Sequence, residues 1–139
     1  MKSPISGIRE MSLEPIVRRG ATRMAFLLGD VALKFARSPV GARCNLFEAD
    51  LYLRVDNRRR AMLCPVMACS GNGAVLVQER ATQLTLVSRN MLREKNGFPD
   101  WDYRGLHDIA CPFEWKASDW GYLQSGNLVA IDYSAPALG

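Results

Sequence analysis

The sequence lacks any apolar run long enough to cross a membrane. Its apolar stretches fall well short of the ~20 residues that a membrane-spanning helix needs. Residues 1–13 also lack the continuous apolar segment of a secretory signal peptide. We therefore expect a cytoplasmic protein with no membrane partner.

Histidine and paired cysteines are also scarce. The chain has one histidine, His107, and no partner that would orient it, so the sequence does not indicate a Ser-His-Asp or Cys-His catalytic site. None of the four cysteines has the C-x-x-C spacing of zinc sites and redox motifs. We expect them to be buried free thiols.

The composition is that of one ordinary globular domain. The chain has 139 residues, of which 48% are hydrophobic and 23% charged, and its net charge is +4. Arginine clusters occur only at Arg18-Arg19 and at residues 58–60, which permits a nucleic-acid partner without requiring one. We predict a single domain over residues 1–139, with residues 1–12 as a flexible arm.

The first two thirds of the chain alternate short apolar runs with turn residues, and a helix interrupts them. The apolar runs predict strands, and the helix is expected to begin at Ser38-Pro39, because its apolar residues recur at spacings of three and four. The predicted elements are a strand at Ile16-Val17, a hairpin of residues 24–28 and 31–36, a helix that begins at Ser38-Pro39 and carries its recurring apolar residues over 42–54, a hairpin of residues 61–69 and 74–79, and a helix over 82–95.

The C-terminal quarter is predicted to hold a hairpin with an aspartate at each open end. Residues 128–131 form an apolar run behind a Ser-Gly-Asn turn, and Asp132 follows that run. Asp119 lies just before the first strand, thirteen residues earlier. Converging carboxylates suit a hard divalent cation such as magnesium, although aspartate is also common at strand ends because it makes turns.

This hairpin resembles the catalytic centre of protein kinases. The pattern E-x-K-x-x-D, followed after thirteen residues by D-Y-S, is similar to the family's H-R-D-x-K-x-x-N and D-F-G motifs. The resemblance implies that Glu114 stands at the catalytic Asp, Lys116 at the catalytic-loop Lys, and Asp119 and Asp132 at the metal-binding Asn and Asp. Two of these four positions carry substitutions, and Ser134 replaces the Gly of D-F-G. Glu114 is alternatively a structural residue held by backbone amides.

The N-terminal half resembles a kinase small lobe in the order of its elements. V-A-L-K, ending at Lys34, is similar to the V-A-I-K motif, whose lysine contacts nucleotide phosphates and pairs with a helix glutamate, here Glu48. Gly20 is the single glycine where the family's phosphate loop has three, and Glu79 ends the strand that enters the hinge. The alternatives are a surface lysine and a solvent-facing glutamate.

These observations predict an α+β protein with a miniature kinase-like fold. We expect an antiparallel sheet of about five strands with one packed helix over residues 13–81, followed by a reduced helical part over residues 82–139 with the metal-site hairpin. At 139 residues the chain has about half the length of a complete kinase.

The resemblance implies an ATP and Mg²⁺ cleft, and three functions remain open. The first is a pseudokinase-like protein that binds nucleotide without transferring phosphate. The second is a small regulator or inhibitor, such as one encoded by a mobile element, that docks on a partner protein or nucleoprotein. The third is an active small-molecule or atypical kinase.

Overall fold

The computed structural model describes residues 14–85 and 99–138 and shows an α+β fold with two antiparallel sheets. The larger sheet has five strands in the order β1-β2-β3-β5-β4. Their bounds are β1 Ile16–Arg19, β2 Arg23–Leu28, β3 Val31–Ala36, β4 Val66–Cys69 and β5 Val75–Glu79. The predicted five-stranded antiparallel sheet is therefore confirmed.

The predicted β2–β3 hairpin is present, with Leu28 paired to Val31 across a Gly29-Asp30 turn. Gly29 has a φ of +55°, a conformation that glycine adopts without steric cost. The β4–β5 hairpin is shorter than predicted, because β4 begins at Val66. Residues 61–65, predicted as part of that strand, form a turn and an isolated bridge between Leu63 and Ala130 instead. A short helix α2, Asn57–Arg60, precedes them, and the Asp56 side chain caps it by accepting a hydrogen bond from the Arg59 N–H.

The helix α1, Pro39–Arg54, packs on the five-stranded sheet against β3, β4 and β5. It begins as predicted, because the Ser38 hydroxyl accepts the Gly41 N–H and a proline stands at the first helical position. Gly41 is required for close packing: a Cβ there would lie 2.1 Å from the Thr22 carbonyl oxygen. The start of α1 is thus fixed against the β1–β2 turn.

A second sheet of three strands follows, in the order β6-β7-β8. Its strands are β6 Ala81–Gln83, β7 Trp120–Leu123 and β8 Leu128–Ala130. The helix predicted from residue 82 is therefore wrong at its start, where β6 pairs with β7 instead. The rest of that predicted helix lies almost entirely at residues 86–98, outside the described part of the chain. A four-residue helix α3, Ala135–Leu138, follows the second sheet.

One hydrophobic core joins the helix α1 to the second sheet. Trp101, Phe113 and Trp120 form its aromatic centre, with edge-to-face ring contacts between Phe113 and each tryptophan at 5.5 and 4.8 Å between centroids. Leu51 and Val55 bring the end of α1 into the same core. The two sheets are consequently held together by packing, and a cleft remains between them.

No helix among the described residues is long and apolar enough to span a membrane.

Candidate functional site

The two sheets enclose a cleft of about 440 Å³. Of the eight residues predicted from the kinase-like motifs, seven line it, and the eighth, Glu48, lies directly behind Lys34. The seven are Gly20, Lys34, Glu79, Glu114, Lys116, Asp119 and Asp132. Residues separated by up to 112 positions in sequence thus meet at one site.

The centre of the site is the buried ammonium of Lys34. Strand β3 directs it toward α1, where Lys34 Nζ lies 3.1 Å from Glu48 Oε1, so the predicted ion pair is present. Nζ also lies 3.0 Å from Asp132 Oδ1 and donates to the backbone carbonyl of Ile131. An ammonium has three N–H groups, and all three have partners here.

Glu48 is fully buried and accepts hydrogen bonds from three parts of the chain. Besides Lys34, the Arg23 guanidinium binds both carboxylate oxygens at 2.6 and 3.0 Å, and the Tyr133 backbone N–H donates to Oε2 at 2.8 Å. Burial favours the neutral acid, but the charges of Lys34 and Arg23 outweigh burial and hold the pKa of Glu48 below its ordinary value. Glu48 is therefore ionised at neutral pH.

Arg23 is the functional residue that the motifs did not indicate. Its guanidinium turns inward and reaches Asn45 Oδ1 at 3.1 Å, Ser134 Oγ at 3.3 Å and Asp132 Oδ1 at 3.5 Å, as well as Glu48. Burial lowers the pKa of Arg23, but Glu48 raises it by more, so the group stays charged. Two cations and two carboxylates therefore balance at the base of the cleft. The signal that would have indicated Arg23 is its position on β2. It lies on the side of that strand that faces the cleft, and its partner on β3 is close to Lys34.

The two aspartates at the open end of the hairpin differ in their ionisation. Burial raises the pKa of Asp132, but Lys34 and Arg23 more than compensate, and its pKa is lowered. Asp119 is buried, with a side chain for which no ion pair or hydrogen bond is found within the described residues. Burial, and then the charge of Asp132, raises the pKa of Asp119 to about 7.

The hairpin itself brings these aspartates together. Trp120 pairs with Ala130, so Asp119 lies across from Ile131, and the Ile131 N–H donates to the Asp119 carbonyl at 2.7 Å. Within residues 14–85 and 99–138, no group of three or more His, Cys, Asp or Glu side chains has the arrangement of a metal site. Magnesium commonly takes one or two protein carboxylates and completes its shell with phosphates and water. A pair of carboxylates, one of them without a partner, fits that requirement.

Glu114 and Lys116 lie at the mouth of the cleft with exposed side chains. The Glu114 backbone carbonyl accepts the indole N–H of Trp120 at 2.8 Å, which fixes the backbone there. Among the described residues, no hydrogen-bond partner is found for the Glu114 carboxylate. The backbone of Glu114 is therefore fixed, whereas its side chain is not. The Lys116 carbonyl accepts the Asp119 N–H at 3.0 Å in the turn that positions Asp119.

The turn that contains Gly20 is tight and fixed in place. The Gly20 N–H donates to the Arg23 carbonyl at 2.8 Å, and Arg37 Nη1 donates to the Gly20 carbonyl at 2.7 Å. A Cβ at Gly20 would lie 3.0 Å from the Arg23 carbonyl oxygen, so a glycine is favoured there by close backbone contact. Gly20, Ala21 and Thr22 of this turn line the cleft.

The far end of the cleft is formed by the segment that joins the two sheets. Gln78, Glu79 and Ala81 line it. Arg80 is buried and fixes this segment by donating to the carbonyls of Gly29 at 3.2 Å and Glu14 at 2.7 Å. The connection is therefore tied to the larger sheet, at the β2–β3 turn and just before β1.

Tyr133, in the middle of D-Y-S, is completely buried beneath the charged centre. Its hydroxyl donates to the Cys64 carbonyl at 2.8 Å and lies 3.4 Å from Gln78 Nε2. Burial, with Glu48 and Cys64 nearby, raises the pKa of Tyr133 well above its ordinary value. Tyr133 thus connects the second sheet to both β5 and α1.

No family model, no curated protein and no solved structure matches this chain. The fold and the site therefore define its class only as an α+β protein with a charged cleft between two antiparallel sheets.

Proposed function

We propose that the chain is a kinase-like protein whose cleft binds a nucleotide together with magnesium, and that it acts through this binding and not through phosphoryl transfer. The observation that carries the proposal is the meeting of Lys34, Glu48 and Asp132 at one buried point, with Nζ–O distances of 3.1 and 3.0 Å. Each of the three had been assigned to a kinase motif from the sequence. Lys34 lies on β3, Glu48 on α1 and Asp132 in the segment after β8. Their contact therefore depends on the packing of three separate elements.

The charges of the cleft suit a nucleotide with its cation. Lys34 supplies a cation for phosphate oxygens, and Asp119 with Asp132 supplies carboxylate oxygens for magnesium. Burial is the larger cause of the raised pKa of Asp119 and the charge of Asp132 the second, and a magnesium ion placed between these carboxylates would offset that second part.

Three features support binding without turnover. All three Lys34 N–H groups are engaged, so a phosphate has to displace an existing partner. The Gly20 turn is fixed by backbone contacts and has one glycine where the family's loop has three, so it has little freedom to close over the phosphates and exclude water. Glu114 is one methylene longer than the aspartate of the family motif, and a base displaced by about an ångström can lose roughly a hundredfold in rate.

The test is thermal unfolding with ATP, with magnesium, and with both. A ligand at a hundred times its Kd stabilises the folded state by about 2.7 kcal/mol. We expect stabilisation with ATP and magnesium together, and a loss of the magnesium-dependent part in Asp132→Asn. Asp50→Asn is the matched control, because Asp50 is an exposed aspartate of α1 paired only with Arg54 in the described structure.

Two outcomes would contradict the proposal. The absence of any shift at millimolar ATP and magnesium would remove the nucleotide-binding function. Sustained transfer of labelled phosphate to a protein or small-molecule acceptor, lost in Asp132→Ala, would show that the chain is a working kinase.

A further inference from the structure

Arg18 is a cation of the cleft to which no sequence motif assigns a role. It lies on β1, where it pairs with Ala25 of β2, and Ala25 pairs in turn with Lys34 of β3. Residues directly opposite each other on neighbouring strands share one face of a sheet, so Arg18 and Lys34 lie on the same face. Both line the cleft between the two sheets.

The spacing of this row leaves room for a ligand between the two cations. The backbones of Arg18 and Lys34 are separated by two strand spacings of ~4.8 Å each. Ala25, the residue between them, also lines the cleft and has only a methyl group as its side chain. The sheet itself therefore does not fill the space between the two long basic side chains.

The two cations differ in the partners that they already have. All three N–H groups of Lys34 are engaged, two of them with carboxylates. The Arg18 side chain is half-buried, yet no hydrogen bond or ion pair is found for its guanidinium within the part of the chain that the structure describes. A guanidinium has five N–H donors. Arg18 can therefore bind an anion without giving up an existing contact, whereas Lys34 cannot.

Arg18 also lies within electrostatic reach of the aspartate pair. Burial lowers the pKa of Arg18, the charge of Asp132 raises it and that of Arg80 lowers it again, but an arginine stays charged at neutral pH. Asp132 forms its ion pairs with Lys34 and Arg23 and not with Arg18. A space therefore separates the Asp132 carboxylate from the Arg18 guanidinium, and an anion bound to a cation at Asp132 would lie in it.

The chemistry of the two ends of this space favours a chain of phosphates. Magnesium held by carboxylates usually completes its shell with phosphate oxygens, and the planar guanidinium fork binds phosphate with two parallel hydrogen bonds. A single phosphate on magnesium at Asp132 would lie beside Lys34. Because Arg18 stands two strands away from Lys34, a ligand that reaches both the magnesium and Arg18 needs more than one phosphate.

We propose that Arg18 is the residue that contacts the phosphates in this cleft, and that it selects a nucleoside di- or triphosphate over the monophosphate and the free nucleoside. The phosphate chain runs from magnesium at Asp119 and Asp132 to the Arg18 guanidinium. Lys34 adds its charge to the site and keeps its present partners. This inference rests on the proposed nucleotide-binding function and names the residue that determines its selectivity for phosphates.

The experiment is isothermal titration calorimetry of ATP, ADP, AMP and adenosine, each with magnesium, into the unsubstituted chain and into Arg18→Gln. We expect Arg18→Gln to raise the Kd of ATP and ADP by about 10- to 100-fold, the loss typical of a hydrogen bond to a charged group, and to leave the Kd of adenosine unchanged. Arg18→Lys should recover only part of the affinity, because an ammonium keeps the charge without the planar fork. Arg43→Gln is the matched control, since Arg43 is an exposed arginine of α1 outside the lining of the cleft.

A second measurement needs no variant, so it decides the question if Arg18→Gln fails to fold. Phenylglyoxal modifies accessible arginines, and mass spectrometry of the unsubstituted chain follows each one separately. Magnesium and ATP together should slow the modification of Arg18 several-fold, whereas adenosine should not. The modification of Arg43 should proceed at the same rate in all conditions.

The outcomes separate this inference from the proposed function. If the unsubstituted chain binds none of the four ligands, the nucleotide-binding function is wrong and the role of Arg18 is lost with it. If ATP binds the unsubstituted chain and Arg18→Gln equally well, or leaves the modification of Arg18 unchanged, only the role of Arg18 is wrong. The same holds if AMP binds as tightly as ATP, or if Arg18→Gln weakens adenosine as much as ATP, because Arg18 would then not distinguish the phosphates.

Discussion

Replacing Asp119 with asparagine should stabilise the protein at alkaline pH and leave it less changed at acidic pH. The pKa of Asp119 is raised from 3.8 to about 7 by burial and by Asp132. Between these two pH values the folded chain holds a proton that the unfolded chain has lost. Stability therefore falls as the pH rises through this window, and asparagine, which cannot ionise, removes that loss.

The size of the effect follows from the shift. A rise of about 3 pKa units at about 1.36 kcal/mol per unit sets an upper limit of about 4 kcal/mol above pH 7. We expect about half of this limit, roughly 2 kcal/mol, because the asparagine amide needs hydrogen-bond partners of its own. At pH 5 the gain should fall below about 1 kcal/mol, since the native aspartate is then protonated.

Urea unfolding at pH 5 and pH 8 measures the difference directly, with Asp50→Asn as the control. Magnesium provides a second measurement. It should stabilise the unmodified chain more at pH 8 than at pH 5, and it should have little effect on the stability of Asp119→Asn. If Asp119→Asn is equally stabilising at both pH values, or is destabilising at pH 8, the pKa of Asp119 is not raised by burial and Asp132 and the reasoning is wrong.

Two further substitutions test the charged centre and its support. Glu48→Gln leaves the buried Lys34 and Arg23 cations with one carboxylate fewer and should destabilise the fold by about 3–5 kcal/mol, measured by urea unfolding. Removing the exposed Arg54–Asp50 pair should lower the free energy of unfolding by less than about 0.5 kcal/mol. Equal losses for the two changes would mean that the Glu48 network contributes no more to stability than an exposed ion pair. Tyr133→Phe removes only a hydroxyl and should cost about 1–3 kcal/mol by leaving the Cys64 carbonyl without its partner; an unchanged stability would contradict that contact.

Local signals in the sequence were sufficient for most of the larger sheet and its helix. The Gly29-Asp30 turn fixes the β2–β3 register by itself, and the cap at Ser38 marks the start of α1. Both depend on residues close together in sequence. The site residues at Lys34 and Asp132 were found differently, through a resemblance in motif and order.

Long-range partners could not be predicted in the same way. Nothing in the local sequence distinguishes Arg23 from other surface arginines, because its partner Glu48 is 25 positions away. Strand β6 has only three residues, and its pairing with β7 joins Thr82 to Tyr122, so nothing near residue 82 distinguishes it from the start of a helix.

The position of the Glu48 partners along the chain has a consequence for synthesis on the ribosome. The Tyr133 N–H, which donates to Glu48, comes 85 residues later, and the Ile131 carbonyl that accepts from Lys34 comes 97 residues after that lysine. Until those residues emerge, the sheet and α1 lack donors and acceptors that their charged centre requires. Contacts this distant in sequence slow folding, because the intervening loop must close before they form. The N-terminal elements are therefore expected to reach their final packing only after the C-terminal hairpin has formed.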